Sequence, residues 1–311
     1  MRWAAGPGQP IAPMPPPVRA PAPPPKKGGG CFKIVIGILV ASFLFCCCIV
    51  SAALESADDP LNWQQVVQAP DVGPRTNLGT AVVPDDLRAD QTRRYAWRER
   101  LTAFELRYGI SDDVHRQVED DFAELSERFD YRPGKGTSFT WLPPPACRGR
   151  EWNCVFDSLA SDSNQNILAL TRLFKQRQEA EQLDQRELAE LVISFVQNIK
   201  YRLPTEETAA FGLLPPTIVV SDGSGDCDSK ALLATILLRQ LGVDAVVLLG
   251  SSLGHAALGV ALPAQGKKFG KKYAFVEVTT PGWTIGTIPP GYDIAGAWKV
   301  IPVTVSKGED D

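Results

Sequence analysis

The sequence predicts an α+β fold in which a central, cysteine-bearing helix packs on an antiparallel sheet. Three observations carry this. From Cys227 to Leu241, apolar residues at Ala231, Leu232, Leu233, Ile236, Leu237, Leu238 and Leu241 surround most of a helix circumference, the mark of a buried helix. Gly242 supplies a stop, and VDAVVLL (Val243 to Leu249) then reads as a buried strand. Two further strands follow, His255 to Leu262 and Tyr273 to Thr280, joined by a basic, glycine-containing hairpin loop from Pro263 to Lys272.

The elements before this core are expected in the following order. Residues 1–30 form a proline-rich tail, with ten prolines among the first 25 positions, a composition that favours extended, solvated chain and a cytoplasmic spacer. Residues 31–55 contain IVIGILVASFLFCCCIVSAAL, 21 uncharged residues at 34–54 that would reach roughly 32 Å as a helix, enough to span a bilayer. About 30 residues precede it, so an uncleaved signal anchor fits better than a cleaved signal peptide. Residues 1–33 hold Arg2, Arg19, Lys26, Lys27 and Lys33 and no acid, whereas Glu55, Asp58 and Asp59 follow the run. That bias places the N-terminus in the cytoplasm and the remainder outside it. Cys46, Cys47 and Cys48 are expected to pack as small hydrophobes in the membrane.

Residues 56–86 read as a linker, and 87–180 as a helical and loop-rich accessory region. Within it, Leu87–Tyr108 and Ser111–Phe129 read as two amphipathic helices joined at Gly109. His115 sits in the second as a surface histidine beside Asp112 and Asp113. Tyr131–Trp152, with its proline triplet, reads as a covering loop, and helical spacing resumes near Asn166. A stripe at Leu188, Leu191, Val192, Phe195, Val196 and Ile199 opens the domain expected over 181–305.

The net charge of −4 shows no basic footprint, so nucleic acid is not an expected partner. Beyond the membrane segment only Cys147, Cys154 and Cys227 remain. Cys147 and Cys154 flank CRGREWNC and are a disulfide candidate for an oxidising compartment, which leaves Cys227 as the odd thiol.

Cys227 lies in Gly225-Asp226-Cys227-Asp228-Ser229-Lys230, at the mouth of the predicted helix. Asp226 is a candidate N-cap, and the helix dipole favours a thiolate in the first turn. Asp226 and Asp228 work the other way, so a cationic imidazole partner is required. Only His255, of two histidines, lies in the same half of the chain. Its same-side neighbours Ala257, Gly259 and Ala261 are small, which is expected to leave room for the helix mouth. Glu277 is a carboxylate in an apolar strand across a hairpin from His255, where it would hold the imidazole in the useful tautomer. Lys230 is expected to pair with an acid. Cysteine, histidine and carboxylate are the parts of a thiol nucleophile that attacks carbonyls. The same three are legitimate zinc ligand types, but the sequence lacks clustered Cys or His spacing, and neither metal nor cofactor is expected.

The stretch from about Leu183 to Thr287 resembles the transglutaminase-like superfamily of papain-type thiol enzymes, as a bacterial, membrane-anchored member. The residues that carry the resemblance are FVQNIKYRLP, SGDCDSKALLATILLRQLGVDAVVLL, GHAALGVAL and YAFVEVTTPGWTIG. It implies a papain/transglutaminase-like core, with Cys227 as nucleophile, His255 as general base and acid, and Glu277 as the orienting carboxylate. By the same analogy Gln197 is an oxyanion donor, although a helix-surface glutamine is the alternative. The chain departs from the commonest pattern in having Ala-Ala after the histidine and Glu in place of Asp. The implied activity is acyl transfer at an amide carbonyl, with hydrolysis of a peptide or isopeptide bond favoured over transamidation. The expected partners are protein or peptide substrates, including cell-surface or cell-wall material. The alternative is an inactive module that binds a peptide or cell-wall component through the same groove.

Overall fold

The computed structural model describes residues 75–88, 91–134, 138–203 and 210–306. The proline-rich tail, the apolar run with its three cysteines and the linker up to residue 74 lie outside the described residues. Among the described residues no helix is long and apolar enough to cross a membrane.

A three-stranded sheet of order β1-β3-β2 comes first, built from β1 (Thr76–Val83), β2 (Arg93–Glu99) and β3 (Thr102–Ile110). β1 runs parallel to β3, and β2 is antiparallel to it. Two expectations are corrected here: 76–83 is a strand where a linker is expected, and 93–110 is a hairpin where a helix is expected. Phe104, Leu106 and Tyr108 are buried at a period of two, and Trp97 pairs with Phe104 across the ladder, their rings stacked at 5.5 Å. The helical pattern depended on Leu101, which sits 95 % exposed in the turn.

Helix α1 (Asp112–Arg128) forms as expected, capped by Ser111, whose Oγ accepts the Val114 N–H at 3.3 Å. His115 stands at its surface, 3.4 Å from Glu119. The following segment forms the short pair β4 (Arg132–Pro133) and β5 (Phe139–Thr140). Its aromatic residues Tyr131, Phe139 and Trp141 surround Phe211, with ring centroids 5.0–6.2 Å away. A disulfide joins Cys147 to Cys154 (Cα–Cα 5.9 Å) at the start of α2 (Glu151–Glu181). This helix begins fifteen residues before the predicted start, because Val155, Phe156 and Leu159 extend its buried stripe.

Helix α3 (Gln185–Asn198) opens on a capping box. Asp184 accepts the Arg186 and Glu187 N–H groups at 2.7 and 2.8 Å, and the Glu187 carboxylate accepts the Asp184 N–H at 3.0 Å. An Asp184→Ala substitution is expected to cost about 1 kcal/mol, measurable by urea denaturation. Past α3, the two-residue β6 (Lys200–Tyr201) pairs in parallel with β7 (Ser224–Gly225), and α4 (Pro216–Asp222) lies between them in the chain. Pro216 suits the first position of that helix, where a missing N–H costs nothing.

Helix α5 (Cys227–Gln240) is then buried around its circumference, as predicted. It lies on a five-stranded antiparallel sheet of order β10-β11-β9-β8-β12. The strands are β8 (Ala245–Gly250), β9 (His255–Val260), β10 (Lys268–Phe269), β11 (Tyr273–Val276) and β12 (Lys299–Ile301). One face (Ala245, Val247, Leu249, Ala256, Leu258, Val260) joins the core around α5. The reverse face (Val246, Leu248, Ala257, Phe269, Tyr273, Phe275) forms a second apolar cluster with Trp298. Ala257 therefore faces away from the helix, which corrects the expectation that the small residues of β9 admit the helix mouth. They admit the neighbouring strands instead: a Cβ on Gly259 would meet Val246 Cγ2 at 2.9 Å and Tyr273 Cβ at 3.1 Å.

Candidate active site

Cys227 is the first residue of α5, and Asp226 is its N-cap, with the Asp226 carboxylate accepting the Ser229 N–H at 3.0 Å. The cap holds the first turn closed, so the thiol stands where backbone N–H groups have no partner within the helix. The N–H of Ala256, next to His255 on β9, hydrogen-bonds the Cys227 sulfur and favours its ionised form. Burial acts more strongly in the opposite direction, followed by the Asp228 and Asp226 carboxylates, and the thiol is pushed well above its ordinary range. Both aspartates are themselves pushed up, by burial first.

His255 opens β9 and Glu277 follows the last residue of β11, which brings the His255 Nε2 to 2.8 Å from the Glu277 Oε2. The second carboxylate oxygen, Oε1, accepts both the backbone N–H and the hydroxyl of Thr279, at 2.8 and 2.6 Å. Burial pulls the Glu277 carboxyl up, but the hydrogen bond and charge of His255 and the two donations from Thr279 together hold it below its ordinary range. An ionised Glu277 accepts only, so Nε2 carries the proton and Nδ1 is left as the basic nitrogen. The 2.8 Å contact is a hydrogen bond, which already pairs these two atoms with each other. The donor atoms of Asp226, Cys227 and Asp228 fall within 4.8 Å of one another, but the Asp226 carboxylate is already engaged as the helix cap.

Two expected roles are corrected. Gln197 is buried, and its side-chain amide donates to Glu277 O at 2.8 Å and Trp283 O at 2.9 Å, so it is neither a surface residue nor a donor aimed at an oxyanion. Lys230 pairs with no acid among the described residues: its Nζ donates to three backbone carbonyls, Ile199 O (2.7 Å), Thr279 O (2.9 Å) and Gln197 O (3.3 Å). Burial pulls its amine down to about 7, against the opposing charges of Glu277 and Cys227.

Tyr292 and Trp298 had no sequence signal of their own. Tyr292 stacks on the His255 imidazole at 4.5 Å and 21°, and Trp298 meets the same ring edge-on while its Nε1 donates to Tyr292 O at 2.8 Å. They lie in GYDIAGAW, beyond the last predicted strand, where no periodicity marks them. Tyr201, placed by the β6–β7 ladder, is close enough to the helix mouth that the charges of Cys227, Asp226 and Asp228 add to burial in raising its phenol.

Residues 172–285 match the family model of the transglutaminase-like superfamily. This segment is a transglutaminase-like domain. The match covers the end of α2, all of α3, α4 and α5, and the sheet through β11, and it includes Cys227, His255 and Glu277. The strands β1–β3, helix α1 and the aromatic pair Tyr292 and Trp298 fall outside the matched part of the transglutaminase-like domain. No curated protein and no solved structure matches the chain.

Proposed function

We propose that the protein is a cysteine acyl-transfer enzyme acting on amide carbonyls of peptides or proteins. The observation that carries this is the His255–Glu277 hydrogen bond, doubly anchored by Thr279, beside a helix-capped Cys227 whose sulfur meets the N–H next to His255. The resting thiol is neutral, so His255 serves as a general base during attack rather than as half of a standing ion pair. Nδ1 takes the thiol proton as Sγ bonds to the carbonyl carbon. The resulting imidazolium, stabilised by Glu277, passes that proton to the leaving amine as the C–N bond breaks. Water then attacks the thioester with His255 again as base, which releases a carboxylic acid and regenerates the thiol. The N–H groups at the mouth of α5 are the oxyanion donors of this scheme. Hydrolysis is favoured over transamidation, with cell-surface or cell-wall polypeptides as substrates.

The apolar run at 34–54 anchors the protein in the membrane, with the transglutaminase-like domain outside the cytoplasm, and the Cys147–Cys154 disulfide supports an oxidising compartment. Protease added to intact cells should digest residues 75–306; protection of that part would place it inside.

A second reading, an inactive module that binds peptide in the same groove, draws support from the raised thiol pKa. A peptide p-nitrophenyl ester separates the two. The enzyme is expected to accumulate an acyl adduct on Cys227, visible by mass spectrometry, at a rate that falls about 10²–10⁴-fold in His255→Ala. Absence of the adduct in the wild type would establish the binding module instead.

A further inference from the structure

We propose that Lys230 and Gln197 are positioning residues that hold the Glu277–Thr279 segment, and through it the His255 ring, in register with Cys227. The sheet does not do this. The β9–β11 ladder ends at Val276↔Leu258, one residue before Glu277, so the backbone bearing the carboxylate leaves the ladder where its position matters most. Two buried side chains take over. The Gln197 amide ties Glu277 O to Trp283 O, closing the turn that follows the carboxylate. The Lys230 Nζ ties Thr279 O to Gln197 O and Ile199 O, fastening the same segment to the end of α3.

Lys230 stands three residues after Cys227 on α5, one turn into the helix. The nucleophile and the clamp on its distant acid are therefore carried by one rigid element. Three carbonyls surround the Lys230 Nζ, and two carbonyls meet the two protons of the Gln197 amide, so each N–H of either group has an acceptor. A fully buried lysine is costly, and an apolar chain of similar length would fill the space without that cost. What the apolar chain would lose is the connection between three backbone segments. Thr279 gains most from it: the residue whose carbonyl Lys230 holds also presents its N–H and hydroxyl to Glu277 Oε1, leaving Oε2 aimed at His255. Second-layer contacts of this type fix a catalytic carboxylate within the tolerance that proton transfer demands.

The proposal rests on the acyl-transfer reading for its purpose, but its central readout needs no reaction. The chain has two histidines, so side-chain 15N spectra contain His255 and one reference, His115. Full-length Lys230→Met and Gln197→Met are compared with wild type for the His255 tautomer and for the rate of Cys227 acylation by the p-nitrophenyl ester. Both variants are expected to convert a single Nε2-protonated His255 into a mixture of tautomers and to slow acylation by 10- to 100-fold. Folded variants with an unchanged His255 spectrum and unchanged acylation rate, whatever their loss of thermal stability, would overturn the proposal. Gln197→Met removes two neutral hydrogen bonds and no charge, and decides the question should Lys230→Met fail to fold. If the wild type forms no acyl adduct, the acyl-transfer reading falls, and the clamp is judged on the His255 tautomer alone.

Discussion

A Glu277→Gln variant is expected to retain its fold and to lose roughly 10³-fold or more of its acyl-transfer rate. The loss follows from counting acceptors. In the wild type, one carboxylate oxygen accepts the Nε2–H of His255 and the other accepts two donors from Thr279. Glutamine offers a single acceptor oxygen. If that oxygen faces Thr279, where two donors hold it, the amide NH2 faces the imidazole and requires Nε2 to accept. The ring proton then moves to Nδ1, and the base is lost. If the amide flips, its NH2 meets the N–H of Thr279 and leaves a buried donor unpaired. Either arrangement damages the site, and the 15N spectrum of His255 distinguishes them. A rate within tenfold of wild type would show that the carboxylate does not set the tautomer.

The same substitution has a signature in stability. Glu277 is held below its ordinary pKa of 4.5, so in the fold it stays ionised at pH values where the unfolded chain binds a proton. Its stabilising contribution is therefore fully present above the ordinary value and is lost as pH falls through the lower folded value. Glu277→Gln lacks this group, and the difference in Tm between wild type and variant should shrink as the pH is lowered from 6 to 3. A constant difference would contradict the depressed carboxylate.

The transglutaminase-like part of the chain was legible because its signals are strong and local. α5 is apolar around most of its circumference, Asp226 caps it, and β8 and the part of β9 after His255 are apolar runs with one turn between the strands. The front half was misread where helix and strand periods compete. RRYAWRE and TAFELRYGI are too short and too rich in charge to separate the two periods, and one exposed leucine tipped the reading toward helix. The candidate triad was legible as residue types in order. Its supports were not, because they depend on tertiary contacts that leave no pattern. Gln197 reads as an oxyanion donor by analogy or as a helix-surface glutamine, and only folding brings the carbonyls of Glu277 and Trp283 to it. Lys230 reads as a partner for an acid, and its burial against backbone carbonyls follows from the ends of α3 and β11 closing over it.

Replacing Phe195 by alanine is expected to cost about 3–5 kcal/mol, the largest stability effect among these predictions, and to lower the Tm by roughly 6–20 °C for a domain of this size. Phe195 is buried on α3, and its ring meets Phe174 of α2, Tyr95 and Trp97 of β2, with centroids 5.6, 5.2 and 5.3 Å away. Deleting it removes three aromatic contacts at once and leaves a cavity lined by rings that cannot collapse together. Beside it, Trp97 Nε1 donates to Ser194 Oγ at 3.0 Å, a buried bond that the vacated space would loosen. Leu101→Ala, at an exposed leucine in the same sheet, should change the Tm by little and serves as the control. Tyr95 and Trp97 precede the segment that matches the transglutaminase-like superfamily, whereas Phe195 lies inside it. A full cost at Phe195, in a single cooperative transition, would show that the β1–β3 sheet belongs to the folding unit of the transglutaminase-like domain. A cost below about 1 kcal/mol would mean that the sheet folds apart from that core, and α3 would then keep its position, and that of Gln197, without it.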